Sequence, residues 1–186
     1  ANDWAEFKSG VKEFTVPGQN FVYADINGNI GYVAGVRLPI RWAQNPTLPM
    51  PGWTGQYDWT GFVPFEQLPS LYNPPKHYIA TANNKMTDRA FPYHISNLWE
   101  PPSRIQRIDE MLGKQEKLTA EDFKHMQGDY FSRFAAEMTP YILRAYDSVA
   151  VPDFEVQTAL SYFRNWHFRF SGDDVPTSLF HVFFTY

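Results

Sequence analysis

Trp4, Phe7, Val11 and Phe14 recur at helical spacing near the start of the chain, with Glu6, Lys8 and Lys12 between them. Such a stripe predicts a short amphipathic helix that lies on a sheet and ends before Pro17. The period then shortens. In "NFVYADINGNIGYVAGVRLP" bulk falls on both faces of a strand, at Phe21, Val22, Tyr23 and Ala24, and again at Ile30, Tyr32 and Val33. Asn27-Gly28 between them is the dipeptide that favours a two-residue hairpin turn. The hairpin is therefore expected to be buried on both sides.

From Arg37 to Pro75 proline and glycine return every few residues, as in "LPMPGWTGQYDWTGFVPFEQLPSLYNPP". This predicts mostly irregular chain held by Trp53, Tyr57, Trp59, Phe62 and Phe65. "HYIATANN" reads as a strand that stops on Asn83 and Asn84, and a loop follows through "FPYHISNLW". From Pro101 the pattern turns helical: Ile105, Ile108, Met111 and Leu112 form one stripe and Gly113 is the stop. Thr119 with Asp122 resembles a capping box. Gly128 interrupts that helix, and three further amphipathic stretches follow, one kinked at Pro140. Strands in front and helices behind make an α+β pattern, with residues 1–100 β-rich and looped and 101–186 helical, as one segment.

With 186 residues, 44% hydrophobic and 18% aromatic, the chain has the material for one domain with a real core. Its net charge of −4 and the lack of a basic stripe argue against nucleic acid. No run is apolar and long enough to span a membrane, and "ANDWAEFKSG" does not read as a signal peptide. Cysteine is absent, which removes disulfides, thiolate nucleophiles and cysteine metal sites.

No glycine-rich phosphate loop, HExxH, GxSxG or i, i+4 histidine pair occurs. His77, His94, His125, His167 and His181 are dispersed, which favours packing or surface roles over metal ligation. Three polar residues stand out. A side-chain amide ending a buried strand can donate to a carbonyl oxygen as it becomes negative, so Asn83 is a candidate oxyanion donor. The competing reading is that Asn83 and Asn84 start a turn. Arg104 falls in the first turn of its predicted helix on the side of Ile108 and Met111, where a buried guanidinium needs partners: a structural ion pair or a packed site. A reading of another class is an aromatic platform of Trp53, Tyr57 and Trp59 for glycans or proline-rich peptides.

The blocks "QNFVYADINGNIGYVAGVRLPIR", "DWTGFVPFEQLPSLYNPPKHYIATANNK" and "FPYHISNLWEPPSRIQRIDEML" resemble, in order and spacing, the large-subunit core of the penicillin acylase family of N-terminal nucleophile hydrolases. The resemblance runs from about Trp4 to the C-terminus and is weakest in the last sixty residues. It implies part of an αββα sandwich and an amidase acting on β-lactam side chains or acyl-homoserine lactones, exported to the periplasm or beyond. By the family pattern Asn83 is the oxyanion donor, Arg104 the arginine that orients it and the catalytic amine, and Gln19 an acyl-pocket residue. The family's nucleophile is a serine at the free N-terminus of the large subunit, acting with its own amine as base. Ala1 cannot take that role, so the serine, the rest of the large subunit and the small subunit are expected outside these residues, which alone should not turn over substrate. A third possibility is an inactive relative of the acylases. No cofactor is implied beyond a structural calcium in the complete enzyme, with Pro46 lending a backbone carbonyl. The acidic calcium ligand of the family has no counterpart in "FPYHISNLW", which offers His94, Ser96 and Asn97.

Overall fold

A computed structural model describes residues 1–42, 48–114, 116–150 and 153–185. Two compact units divide the chain, Ala1–Glu100 and Pro101–Tyr186.

In the first unit the predicted helix is α1 (Trp4–Lys12), whose N-terminus is closed by the Asp3 carboxylate accepting from the Glu6 N–H. It packs on a three-stranded antiparallel sheet ordered β1 (Gln19–Ala24), β2 (Ile30–Gly35), β5 (Ser70–Tyr72). Strand alternation sends Phe21, Tyr23, Gly31, Val33 and Gly35 toward α1. The two glycines make room there. A Cβ on Gly31 would lie 2.4 Å from the Trp4 ring, and one on Gly35 2.4 Å from the Phe21 ring. Trp4 stacks on Tyr72 at 5.2 Å and Phe7 meets Tyr23 at 5.2 Å, so rings from helix and sheet interleave.

The other face of β2 carries Tyr32 and Ala34. It is covered by a second apolar cluster of Leu38, Val63 and Leu68, with Ile40, Phe65, Tyr93 and Ile95 packed against it. β3 (Pro39–Ile40) and β4 (Gly61–Phe62) form a short ladder that holds this irregular region together. Burial on both faces holds for β2. β1 is an edge strand among the described residues and keeps Val22 largely exposed, contrary to the expectation for the whole hairpin.

Asn27-Gly28 lies in the turn, but the loop runs from Asp25 to Asn29 rather than over two residues. The Asp25 carboxylate organises it, accepting from the Asn27 and Asn29 backbone N–H groups at 2.9 Å and from the Asn29 amide and Tyr23 hydroxyl at 2.8 Å. Those bonds, led by the Asn29 side chain, hold its carboxyl below the usual range, and burial pushes the Tyr23 phenol up to about 12. Asn73 joins β5 to the same turn: its Oδ1 accepts from the Ile30 N–H at 2.9 Å and its Nδ2 donates to Asn29 Oδ1 at 2.9 Å.

Residues 77–84, predicted as a strand, form no ladder among the described residues, and the chain bends at His77 and at Ala82–Asn83, with positive φ at His77 and Asn83. The third strand of the sheet is β5 instead. Propensity in "HYIATANN" was sufficient for a strand, but pairing was decided by which segment met the free edge of β2.

The second unit is helical: α2 (Ser103–Leu112), α3 (Ala120–Gln127), α4 (Arg133–Asp147), α5 (Phe154–Arg164) and α6 (Val175–Thr185). Both bonds of the Thr119–Asp122 capping box are present, Gly113 and Gly128 stand at the ends of α2 and α3, and α4 continues through Pro140 as one helix. Ala135, Ile142, Phe163, Trp166 and Phe180 form the core. Trp166 stacks on Phe170 at 5.5 Å and donates its indole N–H to Asp174 at 2.9 Å. Arg107 grips Asp129 with two bonds, Nε–Oδ2 2.8 Å and Nη2–Oδ1 3.0 Å, and lies over Phe131 at 4.6 Å. Among the described residues no helix is long and apolar enough to cross a membrane.

Two expectations follow from this packing. Gly31→Ala should destabilise the first unit by about 1 to 3 kcal/mol, because the Trp4 ring must move; urea unfolding followed by tryptophan fluorescence measures it. Hydrogen bonds from Arg107 hold the Asp129 carboxyl below its ordinary range. A carboxyl depressed in the folded state stabilises fully above the unfolded value, about pH 4, and that contribution is lost as pH falls through the folded value. Asp129→Asn should therefore cost about 2 kcal/mol near neutrality and much less in acid, read from denaturant midpoints across pH.

Candidate functional site

The face of the sheet that carries Tyr32 and Ala34 borders a cavity of about 350 Å³. Its first wall is the start of β1, Gly18 to Asn20. Its floor is Ala34, Val36 and Leu38. Its far wall comes from the loop that holds Asn83, Asn84, Met86 and Ile95 to Trp99. Among the described residues no charged side chain lines it. The polar residues of the lining are all neutral: Gln19, Asn20, Asn83, Asn84, Tyr32 and Ser96.

The two adjacent asparagines divide their work. Asn84 is the turn-former: its Oδ1 accepts from the Ala82 N–H at 2.9 Å, and its Nδ2 donates to the Lys85 carbonyl at 3.2 Å. Asn83 has a left-handed backbone, φ +58°, and its carbonyl accepts from the Glu100 N–H at 3.1 Å. Asparagine tolerates that conformation better than other residues with a Cβ, but it is held there by its neighbours, and held outliers gather at functional sites. Asn83 is exposed at the cavity mouth, as is Gln19.

Of the residues singled out from the sequence, Gln19 and Asn83 therefore meet at one cavity within the first unit. Arg104 stands in the second unit, at the second residue of α2. It shares a cavity of about 240 Å³ with Ile108 and Met111, on the predicted side of the helix, but it is exposed rather than buried. At the helix start its long stem can run along apolar surface while the charged head stays in water. Pro46 lies outside the described residues. Ser96 Oγ is engaged with the Leu98 carbonyl and N–H, both at 3.0 Å, and no group of three His, Asp or Glu converges among the described residues. No step is assigned to a calcium ion. The aromatic loop is more open than a loop pinned to the core would be: Trp53 is 88% exposed, while Trp42 meets Tyr57 and Trp59 meets Phe62 edge to face.

One pair escaped sequence reasoning. The Tyr32 hydroxyl donates to Asn20 Oδ1 at 2.7 Å, and Asn20 Nδ2 donates to Thr81 Oγ1 at 3.5 Å. Tyr32 is 2% exposed, and burial pushes its phenol up to about 12. The signal that could have found the pair is the hairpin register, which puts Asn20 and Tyr32 on the same face of adjacent strands.

Penicillin G acylase of Escherichia coli is 39% identical over 126 residues, 65% of this chain and 14% of that protein. Penicillin acylase 2 proenzyme of Pseudomonas sp. (strain SE83) is 34% identical over 113 residues, 61% and 15% respectively. The acyl-homoserine lactone acylase QuiP of Pseudomonas fluorescens is 35% identical over 121 residues, 64% and 14%. A solved thermostable penicillin G acylase from Alcaligenes faecalis superposes with a TM-score of 0.70 at 24% identity, covering 93% of this chain and 31% of that one, and shares the fold. The chain thus spans about one seventh of the length of the curated relatives it matches. The model of the Penicillin amidase family matches residues 1–186, and with its mixed α+β fold the chain belongs to that family.

Proposed function

We propose that this chain is a segment of the large-subunit core of an N-terminal nucleophile amidohydrolase that cleaves the acyl amide bond of small molecules, β-lactam side chains or acyl-homoserine lactones. The observation that carries the reading is Asn83, held left-handed at the mouth of an uncharged cavity it shares with Gln19. The nucleophile in this reading is a serine at the free amino terminus of the large subunit, outside these 186 residues. Its hydroxyl attacks the amide carbonyl and its own amine takes the proton. The amine product leaves, and water releases the acyl group from the ester. Asn83 Nδ2 donates to the oxygen that becomes negative, Arg104 is the orienting arginine, and Gln19 borders the acyl group. The partners are the remainder of the large subunit and the small subunit of the same precursor, in the periplasm or outside the cell, with no cofactor required.

In the full-length protein Asn83→Ala should lower kcat on a chromogenic acyl anilide about a hundredfold or more, the usual loss for one oxyanion donor. Asn83→Gly separates chemistry from backbone, since glycine takes the left-handed conformation without strain but has no amide. It should be as inactive as the alanine variant, and normal turnover in either would remove Asn83 from the mechanism.

A second reading rests on Trp53, exposed on a loop with Trp59 and Tyr57, as a platform for glycans or proline-rich peptides. It predicts glycan-array or peptide binding by the chain that is lost in Trp53→Ala.

A further inference from the structure

We propose that Asn20 determines specificity at this cavity, as a fixed hydrogen-bond donor that selects acyl groups carrying a neutral acceptor oxygen, an ether or a ketone, near the amide. The inference rests on the acylase reading of the same cavity and adds the class of acyl group.

A carboxamide becomes a selective donor only when its orientation is set. Asn20 Oδ1 is taken by the Tyr32 hydroxyl at 2.7 Å, which turns the Nδ2 end toward Thr81 Oγ1 at 3.5 Å. Tyr32 is a durable lock, since burial keeps its phenol protonated well beyond neutral pH. Flipping the amide would break the short bond. Asn20 lines the cavity, and its Nδ2 carries two N–H groups of which the Thr81 oxygen uses one, so the second is the donor this proposal assigns to the acyl group. Asn20 and Asn83 are both exposed at the mouth, whereas Ala34, Leu38 and Ile95 are more enclosed. A substrate whose reacting carbonyl lies at Asn83 would therefore bring the first atoms of its acyl chain past Asn20.

Three kinds of acyl group then fare differently. An anionic tail meets no cation in the lining and loses its hydration. A pure hydrocarbon tail fits the apolar floor but shields the remaining N–H of Asn20 from water without replacing it. A tail with an acceptor oxygen near the amide satisfies that N–H and still covers the floor. Sites that hydrogen-bond a substrate group discriminate against analogues lacking it.

The test uses the full-length protein and the p-nitroanilides of propoxyacetic and hexanoic acids, which have equal chain length and differ by one oxygen in place of a methylene. Glutaric acid mono-p-nitroanilide is the anionic member. After correction for the alkaline hydrolysis rates of the free anilides, kcat/KM should favour propoxyacetyl over hexanoyl by about five- to tenfold. The glutaryl compound should be the poorest. Asn20→Leu and Tyr32→Phe should each bring the corrected ratio close to one, and Asn20→Asp should invert it. Circular dichroism identifies any variant that fails to fold, and the wild-type ratio needs no variant. No preference in the wild type, or a preference untouched in the folded variants, overturns the proposal. If no anilide is cleaved, the acylase reading fails separately. NMR titration with propoxyacetamide and hexanamide then decides: tighter binding of the ether with shifted Asn20 side-chain N–H signals sustains the inference, and equal binding ends it.

Discussion

The burial of β2 on both faces is the constraint on which the first unit depends. A central strand covered on each side needs two different partners, because one face must accept a helix and the other an irregular chain. Toward α1 the strand offers Gly31 and Gly35, so the Trp4 and Phe21 rings can approach the backbone. Toward the loops it offers Tyr32, a large ring whose hydroxyl cannot be left dehydrated without a partner. Asn20 on the neighbouring strand supplies that partner. The bond that satisfies a buried phenol thus also orients an amide on the wall of the cavity.

The loop from Asn83 to Trp99 closes the same cavity, held by local polar bonds and by Tyr93 and Ile95 packed on the Leu38 cluster. Asn84 fastens the turn, the Asn83 carbonyl is held by the Glu100 N–H, and Ser96 closes on Leu98. These bonds hold Asn83 in a conformation that most residues with a Cβ avoid. A left-handed backbone fixed by its neighbours has little freedom left. Among the described residues the lining of this cavity carries no charged side chain.

The second unit is held together in another way. Its core is aromatic, centred on Trp166, and the indole N–H that burial would otherwise strand is bonded to Asp174. Arg107 and Asp129 tie α2 to the chain before α4 through a bidentate pair, with Arg133 and Glu110 beside it. Ion pairs in this setting specify geometry as much as they stabilise, because each charge is costly without the other.

Much of the helical half was legible in the sequence. Apolar period, capping residues and stop glycines are local signals, and Thr119, Asp122, Gly113 and Gly128 stand where those signals place them. Gln19 and Asn83 could also be named as candidates, by residue type and family pattern. The sequence did not contain the information that "SLY" rather than "HYIATANN" completes the sheet, that Arg104 is exposed, or that Tyr32 bonds to Asn20. Each of these depends on segments that meet only after the chain has folded back on itself. Hydrogen-bond pairing and enclosure are properties of neighbours in space, and a one-dimensional period reports neighbours along the chain.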